Sequence, residues 1–238
     1  MSSGYGDRAR IGHLYPSGGL CDFEIQAMAP AGVQFVTTRM PFRRTGLEDD
    51  RRMADDLEFH ALLVADAEVD LIAFNCTAAS IATGSEEIRR RVEAATGLGC
   101  VTTIDAVLFA LRALDISRPA LMTPYPDDVV SMERRFLSAQ GVTVRGIAGW
   151  PCSTPVEQAR VRPEEWFARA TDMDLKEADG LLISCAGVQV SSVIERIESQ
   201  IGKPVITSNQ ALLWHVLQTL EIELPVEGFG RLLSGSSG

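Results

Sequence analysis

Two apolar runs dominate the hydrophobic pattern of the chain. They are VDLIAFNCTAA at 69–79 and ADGLLISCAGV at 178–188. Each passes from an acidic residue through an apolar stretch to a cysteine followed at once by small residues. An apolar run this short, bounded by polar and small residues, predicts a strand buried on both faces of a parallel sheet. Cys76 and Cys185 then fall where strand gives way to loop. In open α/β sheets, that carboxyl edge is where ligands bind.

Around these runs the pattern alternates between strand and helix. RIGHLYPSGG (10–19) predicts a short strand entering a turn, where Gly18 and Gly19 let the backbone approach a ligand. A helix is expected near Asp22–Met28 and a second strand in VQFVTTRMPF (33–42). From Leu47 to Asp66, Met53, Leu57, His60, Leu63 and Val64 recur at helical spacing. Ser85 opens and Gly97 stops a helix. CVTTI (100–104) predicts a strand, with Asp105 capping the helix after it.

Then the pattern begins again. RPALMTPYPDD (118–128) matches the first strand and turn, with a helix from Asp127. VTVRGI (142–147) predicts a strand and Pro163–Met173 a helix. After the second cysteine run come a helix over Ser191–Gln200, a strand KPVITS (203–208) and a helix ALLWHVLQTLEI. The landmarks keep register: Arg10 and Arg118 are 108 residues apart, as are Pro16 and Pro124, Cys76 and Cys185 are 109 apart, and Gly97 and Gly202 are 105 apart. Two similar α/β halves follow, each with a parallel sheet. If they face each other about a pseudo-two-fold axis, Cys76 and Cys185 meet in the cleft.

Composition narrows the function. A net charge of −10 over 238 residues argues against a nucleic-acid surface, which needs a basic face. An anion can still bind through backbone N–H groups. No apolar run reaches the ~20 residues that span a bilayer, and no leader pattern is visible. The five cysteines are odd in number and lack CxxC spacing, which favours a reducing cytosol over a disulfide framework. No metal-ligand spacing links His13, His60 and His215, and no nucleotide-binding loop is present. The closing SGSSG is left out of the fold argument.

A free cysteine often packs as a small hydrophobe. Two at equivalent points of a repeat favour chemistry instead. Thr77, Ala78 and Ala79, and likewise Ala186 and Gly187, can open helices whose N–H groups lower a thiol pKa or hold a carboxylate. Cys21, Cys100 and Cys152 lack repeat partners and are read as structural. Tyr125 sits at the same sheet edge, where its hydroxyl can bind a carboxylate.

With PSGG (16–19), NCTAAS (75–80), TPY (123–125), ISCAG (183–187), TGLGC, IGKPV and GFGRLL, nearly the whole chain resembles the aspartate/glutamate racemase superfamily, in its maleate isomerase and arylmalonate decarboxylase branch. The resemblance implies two Rossmann-like domains with a cofactor-independent, metal-free site between them. It puts the first domain at residues 1–115 plus 214–238 and the second at 116–213. It also implies a homo-oligomer acting on a small carboxylate. In its terms Cys76 adds to a double bond, Cys185 moves a proton, and Tyr125 steadies a carboxylate. Thr77 and the backbone of Ser17, Gly18, Gly19, Ala186 and Gly187 complete the binding set. The isomerases usually carry Asn where Gly19 stands here. Gly18-Gly19 and Asp127-Asp128 are similar to the decarboxylases, which keep only the second cysteine. This chain has both. The expectation is therefore a cytoplasmic two-cysteine isomerase of maleate or a similar small dicarboxylate. The alternatives are a racemase or decarboxylase of a substituted acid, and a non-catalytic two-lobed binding protein. The loops Thr45–Asp50 and Gly149–Pro155 are expected to shape the pocket.

Overall fold

Each apolar cysteine run becomes a central strand. Leu71–Phe74 (β3) and Gly180–Ile183 (β7) are buried at every position, because helices cover both faces of the sheets they belong to. The acidic residue opening each run has a structural task. Asp70 accepts the N–H of Arg10 at 2.8 Å, and Asp179 accepts that of Arg118 at 2.8 Å. Each carboxylate therefore pins the start of the neighbouring strand, Ala9–Pro16 (β1) or Pro119–Thr123 (β5).

A computed structural model describes residues 6–223 and 225–235. It contains two four-stranded parallel sheets. With Val33–Met40 (β2), Cys100–Thr102 (β4), Gly146–Gly149 (β6) and Val205–Thr207 (β8), the strand orders are β2-β1-β3-β4 and β6-β5-β7-β8. The second half thus repeats the first, as the register of landmarks predicts. The last three residues of the SGSSG tail lie outside the described residues.

Helices link the strands: Phe23–Met28 (α1), Leu47–Arg52 (α2), Leu57–Ala65 (α3), Thr77–Thr83 (α4), Ser85–Thr96 (α5), Thr103–Ala113 (α6), Asp127–Ala139 (α7), Pro155–Arg160 (α8), Pro163–Asp172 (α9), Ile194–Ile201 (α10), Ser208–Thr219 (α11) and Arg231–Ser234 (α12). Gly97 and Gly202 end α5 and α10 in the left-handed conformation, with φ of 73° and 67°, which glycine adopts without steric cost.

Several expected boundaries move. The stretch from Leu47 to Asp66 is two helices, broken at residues 53–56. CVTTI and KPVITS are strands for only three residues each. Thr102 and Thr207 then act as N-caps, their hydroxyls accepting from Asp105 N and Gln210 N. Asp105, expected to cap, instead sits inside the first turn. The strand expected at 142–147 lies at Gly146–Gly149. It is a sheet edge, half-exposed, where periodicity is weakly enforced.

The halves share one core. Ile104, Val107 and Leu111 of α6 lie in the same buried cluster as Leu181, Leu182, Leu212, Leu213 and Val216. Helices α6 and α11 pack on each other, and α1 packs on α11. Helix α12 packs against β8 and α11, and Arg231 N–H donates to Glu198 of α10 at 2.9 Å. The described residues from 214 on therefore touch both halves, with His215 stacked on Phe109 of the first. A smaller cluster of Leu14, Met40, Phe42, Leu57, Ile72, Phe74 and Ile88 fills the far face of the first sheet. Among the described residues no helix is long and apolar enough to cross a membrane.

Candidate active site

The strand ends β3 and β7 deliver Cys76 and Cys185 to one small cavity between the halves. Its walls include Tyr15, Gly19, Phe42, Thr45, Asp50, Ala78, Tyr125, Gln158, Ala186 and Gly187. Only about 20 Å³ of it is open to the centre of a water molecule, room for one or two waters.

Cys76 is the N-cap of α4, extended at φ −153°. Burial pushes the Cys76 thiol well above its ordinary pKa, the Asp50 carboxyl adds to the rise, and the N–H groups of Ala79 and Ala78 oppose it. Cys185 Sγ accepts the Gly187 N–H at 3.1 Å and donates to Gln158 Oε1 at 3.4 Å. Burial pushes this thiol up to about 12, opposed by Gly187 N–H and the Tyr125 hydroxyl. All five cysteines are free. Burial thus favours the protonated form of both site thiols.

Of the residues expected at the site, the cavity gathers Gly19, Cys76, Tyr125, Cys185, Ala186 and Gly187. Ser17, Gly18 and Thr77 stand behind its wall. The N–H groups of Ser17, Gly18 and Gly19 donate to Met40 O, Phe42 O and Pro16 O at 2.8, 3.0 and 3.0 Å. They are engaged in the turn rather than open to a carboxylate. The Thr77 hydroxyl lies 2.8 Å from that of Ser208, which accepts the Cys185 N–H at 3.1 Å. Thr77 and Ser208 thus tie the two cysteine motifs together through the N-terminus of α11.

Sequence reasoning missed the support behind the wall. Asn75 donates to Asn209 Oδ1 at 2.8 Å and to His13 Nε2 at 2.9 Å, and Asn209 donates to Ala186 O at 3.0 Å. Because His13 Nε2 accepts, its Nδ1 carries the proton toward Thr37 Oγ1, 3.0 Å away. Burial lowers the His13 pKa to about 4, so the ring is neutral. The Tyr15 hydroxyl donates to Ala186 O at 3.3 Å and accepts Cys21 N–H at 3.2 Å. The Tyr15 ring also explains Gly19: a Cβ there would lie 2.5 Å from Tyr15 Cε1. Glu24 of α1 accepts from Val190 N and Ser191 N at 2.8 Å each, fixing the loop after Cys185. The recurrence of Thr-Thr at 102–103 and Thr-Ser at 207–208, where α6 and α11 begin, was the visible signal for Ser208.

The loops expected to shape the pocket cover it. Thr45 N–H donates to Ser153 O at 2.9 Å, and Gln158 Nε2 donates to Thr45 Oγ1 at 2.9 Å. One segment from each half therefore closes over the thiols.

A sequence model of the arylmalonate decarboxylase family matches residues 14–233. The chain belongs to this family. Within and around the arylmalonate decarboxylase family, a maleate isomerase of Nocardia farcinica is 31% identical over 244 residues, 96% of this chain and 96% of that protein. An arylmalonate decarboxylase of Bordetella bronchiseptica is 33% identical over 151 residues, 60% of each chain. Among solved structures, a cysteine-to-serine variant of the Nocardia farcinica maleate cis-trans isomerase carries a covalently bound succinylcysteine intermediate. It superposes with a TM-score of 0.89 at 27% identity, covering 96% of this chain and 99% of that one. Unliganded arylmalonate decarboxylase superposes with a TM-score of 0.82 at 25% identity, covering 96% and 100%.

Proposed function

We propose that the protein is a cofactor-independent cis-trans isomerase of maleate or a similar small unsaturated acid. The observation that carries this reading is the pair of thiols from equivalent strand ends lining one closed cavity. A decarboxylase of the related type needs only the second. The 31% identity to the Nocardia farcinica maleate isomerase over nearly the full length, and the succinylcysteine seen on its structural neighbour, support it further.

In this reading Cys76 is the nucleophile: its thiol loses its proton to solvent before the acid is enclosed, and the thiolate is the attacking form. Its sulfur bonds to one alkene carbon while Cys185 gives its proton to the other. The former double bond is now single and turns. Return of that proton to Cys185 and departure of Cys76 restore the double bond in the trans geometry. No proton or electron is consumed over the cycle. Ala78 and Ala79 N–H stabilise the departing thiolate, and Gly187 N–H stabilises that of Cys185, leaving the single Tyr125 hydroxyl proton for the substrate. With it Tyr125 steadies a substrate carboxylate. The same reading has the enzyme acting in the cytoplasm as a homo-oligomer, with the small acid as its partner.

The test is proton NMR of maleate incubated with wild type and with Cys76→Ala in deuterated buffer. Fumarate from the wild type alone is expected. Fumarate from Cys76→Ala at an undiminished rate would overturn the covalent role.

A further inference from the structure

Asp50 is the one carboxyl on the cavity wall. It sits in α2 and is fully buried. Neither of its oxygens has a hydrogen-bond partner among the described residues. Glu48 of the same helix behaves otherwise, pairing with Arg52 at 2.7 Å on the exposed face. A buried, unpaired carboxyl costs several kcal/mol, a cost that is offset when a ligand supplies the missing donor.

The rest of the wall sharpens the point. Among the described residues that line it there is no Arg, Lys or His. A substrate dianion would bring two negative charges into a dry cavity already holding a third group that ionises, with no cation to balance them. Like charges at close range in such a site disfavour one another strongly. One carboxylate can be met by neutral donors such as the Tyr125 hydroxyl. The other end of the molecule has to satisfy Asp50.

We propose that Asp50 is a specificity-determining residue that selects a small unsaturated acid with a single carboxylate, whose second polar end is uncharged and donates a hydrogen bond to Asp50. An amide is the group that donates in this way and still keeps the double bond electron-poor enough for thiolate addition. Resting on the isomerase reading, this makes the half-amide of a cis-unsaturated dicarboxylic acid the preferred substrate and the diacid a poor one. A site built to pair a polar group discriminates sharply against an analogue that lacks the complement.

The experiment uses saturated ligands, so that binding is read without turnover. Succinate and succinic acid monoamide are titrated calorimetrically into the full chain at pH 8.5, with wild type, Asp50→Asn and Asp50→Ser, each checked for fold by circular dichroism. The wild type is expected to bind the monoamide at least tenfold tighter than succinate, and both variants to lose that preference to within about twofold. Equal binding of the two ligands by the wild type, a preference that survives both substitutions, or binding of neither ligand would overturn the proposal. Turnover of maleate and its monoamide is assayed in parallel. Selective binding with no turnover of either would sink the isomerase reading and leave the role of Asp50 standing.

Discussion

Replacing Asp50 by Asn isolates the electrostatic cost of keeping that carboxyl inside the protein. Burial raises its pKa from 3.8 to about 7, helped by Asp49 and Asp128. A carboxyl whose folded pKa lies above its unfolded value binds its proton more tightly when folded. Stability therefore grows as pH falls through 7 and is fully present below about 4, and it is lost as pH rises. At 1.36 kcal/mol per unit, the ionised Asp50 costs roughly 4 kcal/mol at pH 8.5. Asn has nearly the same shape and no charge. The variant should be more stable than wild type by roughly 4 kcal/mol at pH 8.5 and by less than about 2 kcal/mol at pH 5. The two should converge near pH 4. Urea unfolding at these three pH values, with equal m-values as the check on two-state behaviour, measures the difference. Glu133 is also buried with a raised pKa, about 7, but it is common to both proteins and cancels. Parallel stability profiles across the pH range would refute the argument that burial raises the Asp50 pKa above its unfolded value.

Other expectations follow from the same geometry. Gly19→Ala drives a methyl into the Tyr15 ring and should cost about 1–3 kcal/mol by overpacking; an unchanged melting temperature would contradict it. Glu24→Ala strands the N–H groups of Val190 and Ser191 and should cost about 3 kcal/mol in urea unfolding, whereas Glu24→Gln should retain part of that. Since burial raises the Cys76 pKa, less thiolate exists at any given pH. On the isomerase reading, kcat/KM for a good substrate should keep rising through pH 9, and a plateau by pH 7 would count against it. In the Thr77→Val and Ser208→Ala double-mutant cycle, unfolding should show a coupling of about 0.5–3 kcal/mol. Strict additivity would show that the 2.8 Å contact between the two hydroxyls carries no energy.

The two central strands and their cysteines were legible because burial on both faces leaves an unbroken apolar run. The repeat was legible because equivalent positions in both halves face equivalent surroundings. Gly97 and Gly202 were readable as helix stops for a local steric reason. The caps at Thr102 and Thr207 were not, since a threonine inside VTT or VITS has the same β-propensity whether it ends a strand or opens a helix. Asp50 was hidden in the run LEDDRR, which reads as a solvated helix face; only packing of α2 on α4 turns one of its acids inward. Tyr15 and Asn209 were hidden because their partners, Ala186 and Asn75, are 171 and 134 residues away. No local spacing encodes such pairs.

The bonds at Thr45 set a timescale as well as a boundary. Asn75 to Asn209 and Thr77 to Ser208 stitch the halves together from beneath, so a hinge that swung them apart would break the buried polar network and the α6–α11 contact. On the isomerase reading, traffic of substrate and product is left to the roof. That roof is latched by two hydrogen bonds, from Thr45 to Ser153 and from Gln158 to Thr45, worth about 1 kcal/mol each. A latch of about 2 kcal/mol leaves a few per cent of molecules ajar at equilibrium. Local opening of this kind runs in microseconds to milliseconds. Gln158 also accepts from Cys185 Sγ, so releasing the latch disturbs the second thiol. On the isomerase reading, gate and acid–base group are thereby wired to one side chain, and the residence time of a bound acid is tied to the state of the sulfur beneath it.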